Sequence, residues 1–188
     1  MKLAKKEKLV NAKKYGFKIN HKYRAEWRAK SQKIFLRKSV AEALAKARSY
    51  LPEGYNFEIH DGKRSVEDQR KIIKICEKNF KKKCPKNWHN LLVRYTGGYK
   101  YLNHRPFVPA SHLGGGAADL TVIKERKEIN MGGTSFNEKD NLNYFEKKKK
   151  LTKKENEIKE NRRLLKKAMR KAGFKAYAPE WWHWGYMK

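Results

Sequence analysis

Two short segments of this chain concentrate side chains able to do chemistry. The first, SHLGGGAADLT (residues 111–121), sets His112 ahead of Asp119 with three glycines between them. Glycines let a backbone turn tightly or pack closely, so such a loop can bring an imidazole and a carboxylate to one point. The acid lies in an otherwise apolar run, where its charge is costly unless a cation or hydrogen-bond donors meet it. The second segment, EWWHW (residues 180–184), places Glu180 and His183 among bulky aromatics. On a strand, positions 181 and 183 share a face, so Glu180 reaches the same cavity only through a bend or by standing at the strand start. Pro179 directly before it suits such an irregular beginning.

Together the segments offer two imidazoles and a carboxylate, His112, His183 and Asp119, as ligands, and Glu180 as a further carboxylate. A catalytic zinc site requires three protein ligands, an open position for water, and a base. One Zn2+ per chain is therefore expected. Zinc lowers the pKa of its water from ~15.7 to roughly 7, and Glu180 would take the proton and pass it to the leaving amine of a scissile amide. The developing oxyanion calls for a cation, and Arg64, just after the Asp61-Gly62 turn, is the candidate because a guanidinium stays charged at any working pH. Taken singly, a histidine beside a glycine-rich loop is usually structural; the conjunction carries the reading. His21, His60, His89 and His104 keep the structural reading.

These residues need elements to hold them. Ser39 and Glu42 form an S-x-x-E pair, and Val40, Ala43, Leu44, Ala47 and Leu51 recur at helical spacing, so a helix is predicted from Ser39 until Pro52 and Gly54 end it. Residues 55–60 alternate as a half-buried strand, and Asp61-Gly62 closes it with a turn. A second helix follows, capped by Ser65 with Asp68, with Gln69, Ile72, Ile73, Cys76 and Phe80 along one side. Residues 81–109 read as loop or short strand. Residues 117–123 read as a buried strand. A Lys-rich run leads into a third helix with Ile158, Leu165, Ala168, Met169 and Ala172 on one face and Gly173 as stop, and a last strand carries Trp182 to Tyr186. Helices and strands mixed without a βαβ rhythm predict an α+β single domain, with a mainly antiparallel central sheet flanked by helices.

Length fits one domain: 188 residues can bury a core and still form a cleft. Residues 1–30 read as a basic N-terminal arm, and residues 31–188 as the catalytic domain. A formal charge of +29 attracts polyanions, anionic cell-wall polymers among them, without choosing between them, and a solvated lysine-rich surface is the bland alternative. Recognised nucleic-acid motifs are absent, so a specific nucleic-acid partner is not expected. Cys76 and Cys84 are too few for a disulfide scaffold and lack zinc-knuckle spacing. No stretch approaches the ~20 apolar residues of a membrane span. The opening MKLAKKEKLVNAKKYGFKIN is charged but lacks the apolar run of ~7 to 15 residues of a signal peptide. As written, a cytoplasmic location is expected, or a periplasmic one where an export signal has been removed.

The motif SHLGGGAADLT resembles the S-H-x-x-G-x-A-x-D zinc signature of the D-alanyl-D-alanine dipeptidases of the VanX type, and EWWHW resembles their closing E-x-x-H motif. The similarity extends through LRKSVAEALAKA, DGKR, MGGTSF and NRRLLKKAMRKAGF, roughly residues 35 to 186. The resemblance implies His112, Asp119 and His183 as zinc ligands, Glu180 as catalytic base, Arg64 as transition-state arginine, Ser111 in substrate binding, and a small D-Ala-D-Ala-type peptide as substrate. Three positions depart from the family pattern. Lys63 and Ser65 replace Tyr and Pro around the arginine, Ala110 replaces a second Ser, and Asn137 stands where the dipeptidases carry the acid that binds the substrate's amine. A neutral amide does not balance an ammonium, so either Glu138 or Asp140 takes over or the substrate lacks a free amine there, as a longer wall peptide would. A cationic wall-lytic carboxypeptidase or endopeptidase is the alternative enzyme, and a non-enzymatic polyanion binder the alternative outside enzymes.

Overall fold

The chain's structure, a computed structural model, describes residues 7–20, 33–103, 106–134 and 136–187. His21, His104 and residues 1–6 and 21–30 of the basic arm lie outside the described residues. Helix α2 (Val66–Lys83) begins where its sequence says: the Ser65 hydroxyl accepts from the Asp68 N–H, and the Asp68 carboxylate accepts from the Ser65 N–H. The long helix α4 (Lys153–Lys171) is capped in the same reciprocal way by Thr152 and Glu155. Helix α1 (Lys38–Arg48) differs from expectation. Ser39 does not cap with Glu42; its hydroxyl donates to Glu7 at 2.6 Å, and Arg37, with no side-chain cap bond, stands at the N-cap. A carboxylate brought from the chain's start outcompetes the local partner. Residues 81–109 hold a helix that periodicity did not disclose, α3 (Trp88–Thr96), which buries little beyond Leu92 and Thr96.

Strands β4 (Tyr55–Asp61) and β5 (Ala117–Lys124) form the antiparallel centre of the main sheet. Its strand order is β2-β4-β5-β8-β7, with β2 (Lys18–Ile19), β7 (Lys175–Ala176) and β8 (His183–Gly185), and the short β6 (Lys127–Glu128) also pairs with β5. Only β2–β4 is parallel among the described pairs. A separate antiparallel pair joins β1 (Leu9–Asn11) to β3 (Phe35–Arg37). The α+β expectation is met.

Alternation along the central strands separates two faces. Phe57, Ile59, Ala118, Leu120 and Val122 join the main core with Leu44 of α1 and Leu165 and Met169 of α4. Glu58, Asp119 and Thr121, all buried, occupy the intervening positions. A satellite core built from Ile73, Phe80, Leu92, Leu102 and Leu113 holds α2 and α3 together.

The buried Glu58 is met by three partners: Lys18 Nζ at 2.7 Å, Asn20 Nδ2 at 2.7 Å and His60 Nε2 at 3.1 Å. Burial pushes its pKa up, but the bonds from His60, Lys18 and Asn20 outweigh that and bring it from 4.5 down to about 2. A folded-state value below the ordinary one contributes stability above about pH 4.5 that is lost as pH falls toward 2. The stability gap between the parent and Glu58→Gln is therefore expected to shrink from ~2–3 kcal/mol at about pH 5 toward zero near pH 2, as read by denaturant melts. A gap independent of pH would count against this cluster. His60 thus has the structural place expected of it, while His89 is exposed and stacks edge-on with Trp88.

Candidate active site

The register of three neighbouring strands sets up the site. Asp61 of β4 pairs with Asp119 of β5, and Asp119 pairs with His183 of β8, so the three lie in one row across the sheet. Directly opposed residues of antiparallel strands share a face. Asp119 Oδ1 accordingly lies 2.9 Å from His183 Nδ1.

His112 comes in from the glycine-rich loop. Gly114 is required because a Cβ there would stand 2.1 Å from the Val108 carbonyl oxygen, and Gly115 adopts φ 79°, a left-handed backbone that favours glycine. The loop is tied down on both sides. Lys63 donates to the carbonyls of Arg64 and Leu113, Arg37 donates to those of Pro109 and Tyr186, and the Arg64 N–H bonds the His112 carbonyl at 3.1 Å. His112 Nδ1 meets the Gly62 carbonyl at 2.7 Å, and since a carbonyl only accepts, Nδ1 carries the proton. The lone pair of Nε2 then faces Asp119 Oδ1 at 3.1 Å and His183 Nδ1 at 3.2 Å.

Three donor atoms thus converge within 4.8 Å of one another: His112 Nε2, Asp119 Oδ1 and His183 Nδ1. A four-coordinate ion with bonds of ~2.0–2.1 Å spaces its ligands by about 3.3 Å, close to the separations here. A carboxylate and two imidazole lone pairs pointing at one spot, with the tautomer of His112 set by a backbone carbonyl behind it, fit a divalent metal. Burial opposes the charge on Asp119, but His112 and His183 outweigh it and hold the carboxyl well below the usual range.

The aromatic segment solves the problem its spacing posed. Residues 181–182 make a turn closed by the His183 N–H on the Glu180 carbonyl at 3.1 Å, so Glu180 and His183 come side by side, Oε2 to Nδ1 4.0 Å. Trp181 and Trp184 anchor the turn from within the core; their indole N–H groups donate to the carbonyls of Gly133 and Trp181. Burial pushes the Glu180 carboxyl up to about 8; His183 and Arg64 pull against it, and Asp119 and Asp140 add to it. Burial of this kind makes a carboxyl hold a proton more tightly than a free one, which suits a group that carries a proton from one atom to another. Tyr177, whose ring packs edge-on against His183, bonds the Arg94 carbonyl through its hydroxyl.

Arg64 closes the other side. Nε donates to Asp61 Oδ2 at 2.7 Å, Nη1 to Gln69 at 3.1 Å and Nη2 to Asp119 Oδ2 at 3.2 Å. Burial works against its charge, yet Asp61 and Asp119 outweigh it and raise the pKa. Arg64, His112, Glu180 and His183 line one cavity of about 250 Å3.

Ser111 lines the same cavity, but its hydroxyl is also a loop fastener: it donates to the Val108 carbonyl at 2.6 Å and accepts from the Gly114 N–H at 2.9 Å. Asn137 stands elsewhere. Its side chain accepts from the Lys139 N–H at the start of a short 3-10 turn (Glu138–Asp140), and it lines a neighbouring cavity. Asp61 and Gln69, by sequence a turn residue and a helix-face residue, orient Arg64. A glutamine within the apolar stripe of α2 was the available sign, since a buried amide requires partners; Gln69 also donates to the Thr96 carbonyl.

Residues 8–188 match a family model described as D-ala-D-ala dipeptidase. No curated protein matches the chain. No helix among the described residues is long and apolar enough to cross a membrane.

Proposed function

The chain belongs to the Peptidase_M15 family of metal-dependent peptidases, and from that membership we propose that it hydrolyses D-Ala-D-Ala-type peptide bonds at a single zinc ion. The observation that carries the proposal is that Glu180 and Arg64 line the same cavity as His112 and His183, the two histidines of the His112–Asp119–His183 cluster. His112, Asp119 and His183 would hold the ion. Bound there, the cation would supply Lewis-acid polarisation and would make water acidic enough to lose a proton near neutral pH. Glu180, beside His183 but too far from its Nδ1 to share the cluster's contacts, receives that proton and returns it to the leaving amine. Arg64, held by Asp61 and Gln69, presents a fixed positive charge to the carbonyl oxygen as it gains negative charge. Asp61 and Gln69 act through Arg64 and are positioning residues. Ser111 shapes the wall of the cleft on which substrate lies.

A substrate panel tests this directly. Zinc-loaded protein is expected to release free D-alanine from D-Ala-D-Ala or from a longer or N-blocked peptide ending in it, to stop when a chelator is added, and to recover with zinc. Hydrolysis indifferent to the chelator, or no D-alanine from any member, sinks the proposal. A wall-lytic carboxypeptidase or endopeptidase is the second reading, favoured by a neutral Asn137 and a charge of +29; product release from purified peptidoglycan would distinguish it.

A further inference from the structure

The cleft holding Glu180 continues into a second cavity of about 500 Å3, lined by Arg94, Asn137, Glu138, Tyr144, Lys147 and Lys148 among others. Three features join the two. Arg94 lines both. Pro179 lines the second, and the next residue, Glu180, lines the first. Tyr95, in the wall of the first, donates its hydroxyl to the carbonyl of Asn137 in the wall of the second at 3.1 Å. A chain that leaves the reacting centre and crosses Arg94 therefore lies in the second cavity without leaving the protein surface.

The charge in that cavity is uneven. Glu138 is the one acid among the described residues that line it, and Lys148 is engaged by Glu155. Neither Arg94 nor Lys147 has a carboxylate partner among the described residues. Exposed apolar side chains flank the crossing: Val93 precedes Arg94, Phe136 precedes Asn137, and Tyr177 bonds the Arg94 carbonyl. Apolar surface beside two uncompensated cations in a concave wall suits an extended peptide bearing an anionic group. Lysines cover this protein, so charge alone would select nothing. What distinguishes Arg94 and Lys147 is their place in a hollow continuous with the reacting centre.

Resting on the metallopeptidase reading above, we propose that the second cavity is a subsite for substrate beyond the scissile residues, and that it takes a peptide carrying a carboxylate there. The substrate is then the D-Ala-D-Ala-type end of a longer acidic peptide.

The test uses matched peptides ending in D-Ala-D-Ala whose extension carries either glutamate or glutamine, with the zinc-loaded protein. The parent is expected to favour the acid over the amide about fivefold to tenfold in kcat/KM, mostly through KM, and the preference should weaken with salt. In Arg94→Gln/Lys147→Gln the ratio should fall to about one, whereas Lys82→Gln, which removes a charge at the far end of α2, should keep the parental ratio. Equal use of acid and amide by the parent, an unchanged ratio in the double variant, or an equal loss in Lys82→Gln overturns the subsite. Calorimetric binding of the same pair to Glu180→Gln keeps the two proposals separable. If no peptide is cleaved but the acid still binds more tightly through Arg94 and Lys147, the hydrolytic reading fails and the subsite stands; equal binding of both overturns the subsite.

Discussion

Glu180→Gln is expected to retain metal at the parental stoichiometry while turnover falls by ~10²–10⁴-fold, the range a positioned proton carrier typically contributes. The substitution keeps the shape of the side chain and its place in the turn, since the turn is made by backbone bonds from Trp181 to Asp140 and from His183 to Glu180. An amide has no proton-accepting oxygen of comparable basicity. Nor should the metal leave, because Glu180 Oε2 lies 4.0 Å from His183 Nδ1, whereas the three cluster atoms stand 2.9–3.2 Å apart. Burial already disfavours the Glu180 charge, so a neutral glutamine should leave the melting temperature of the metal-free protein unchanged or higher. Metal analysis beside D-alanine release decides the matter. Near-normal hydrolysis in the Gln variant would remove Glu180 from proton transfer, and loss of metal would make it a ligand instead.

His112→Ala and His183→Ala are expected to lose both the ion and the activity, with metal content falling from one per chain to a small fraction after dialysis. Each removes one of three donors, and no other described His, Cys, Asp or Glu cluster of three offers a replacement. A ligand that binds only the folded state raises its stability, so zinc should lift the parent's melting temperature and leave the two variants unmoved. The variants should differ from each other once stripped. His112 is buried and holds the Gly62 carbonyl at 2.7 Å, so its loss leaves a buried acceptor unmet at about 1–3 kcal/mol, while the half-buried His183 makes no such backbone tie among the described residues. Stoichiometric zinc in either variant would refute the ligand assignment.

The grouping of the candidate site's residues was legible because they are crowded into two short segments. A histidine, three glycines and an acid within one loop, and a glutamate and a histidine three residues apart, leave few geometries open. The family resemblance read from those motifs agrees with the match over residues 8–188. Helix α2 was readable for the same reason, since Ser65 and Asp68 cap each other across three residues and the apolar stripe repeats at 3.6. Where a partner was distant, local reading failed. Ser39 has a suitable acid three residues on, yet bonds Glu7, thirty-two residues back. Helix α3 lies among aromatics, Asn and β-branched residues whose local preferences do not specify a helix, and packing against α2 decides it.

Some assignments depended on closure of the chain on itself. That Asp119 faces His183 follows from strand register, that Arg64 points at Asp119 follows from Asp61 and a glutamine on the next helix, and that Asn137 lines a second cavity follows from its role as a cap. Capping and periodicity act over three or four residues and are written in neighbouring letters. The pairing of β4 with β5 and of β5 with β8, and the joining of one cavity to the next across Arg94, depend on segments more than forty residues apart, whose mutual placement exists only once the core has formed.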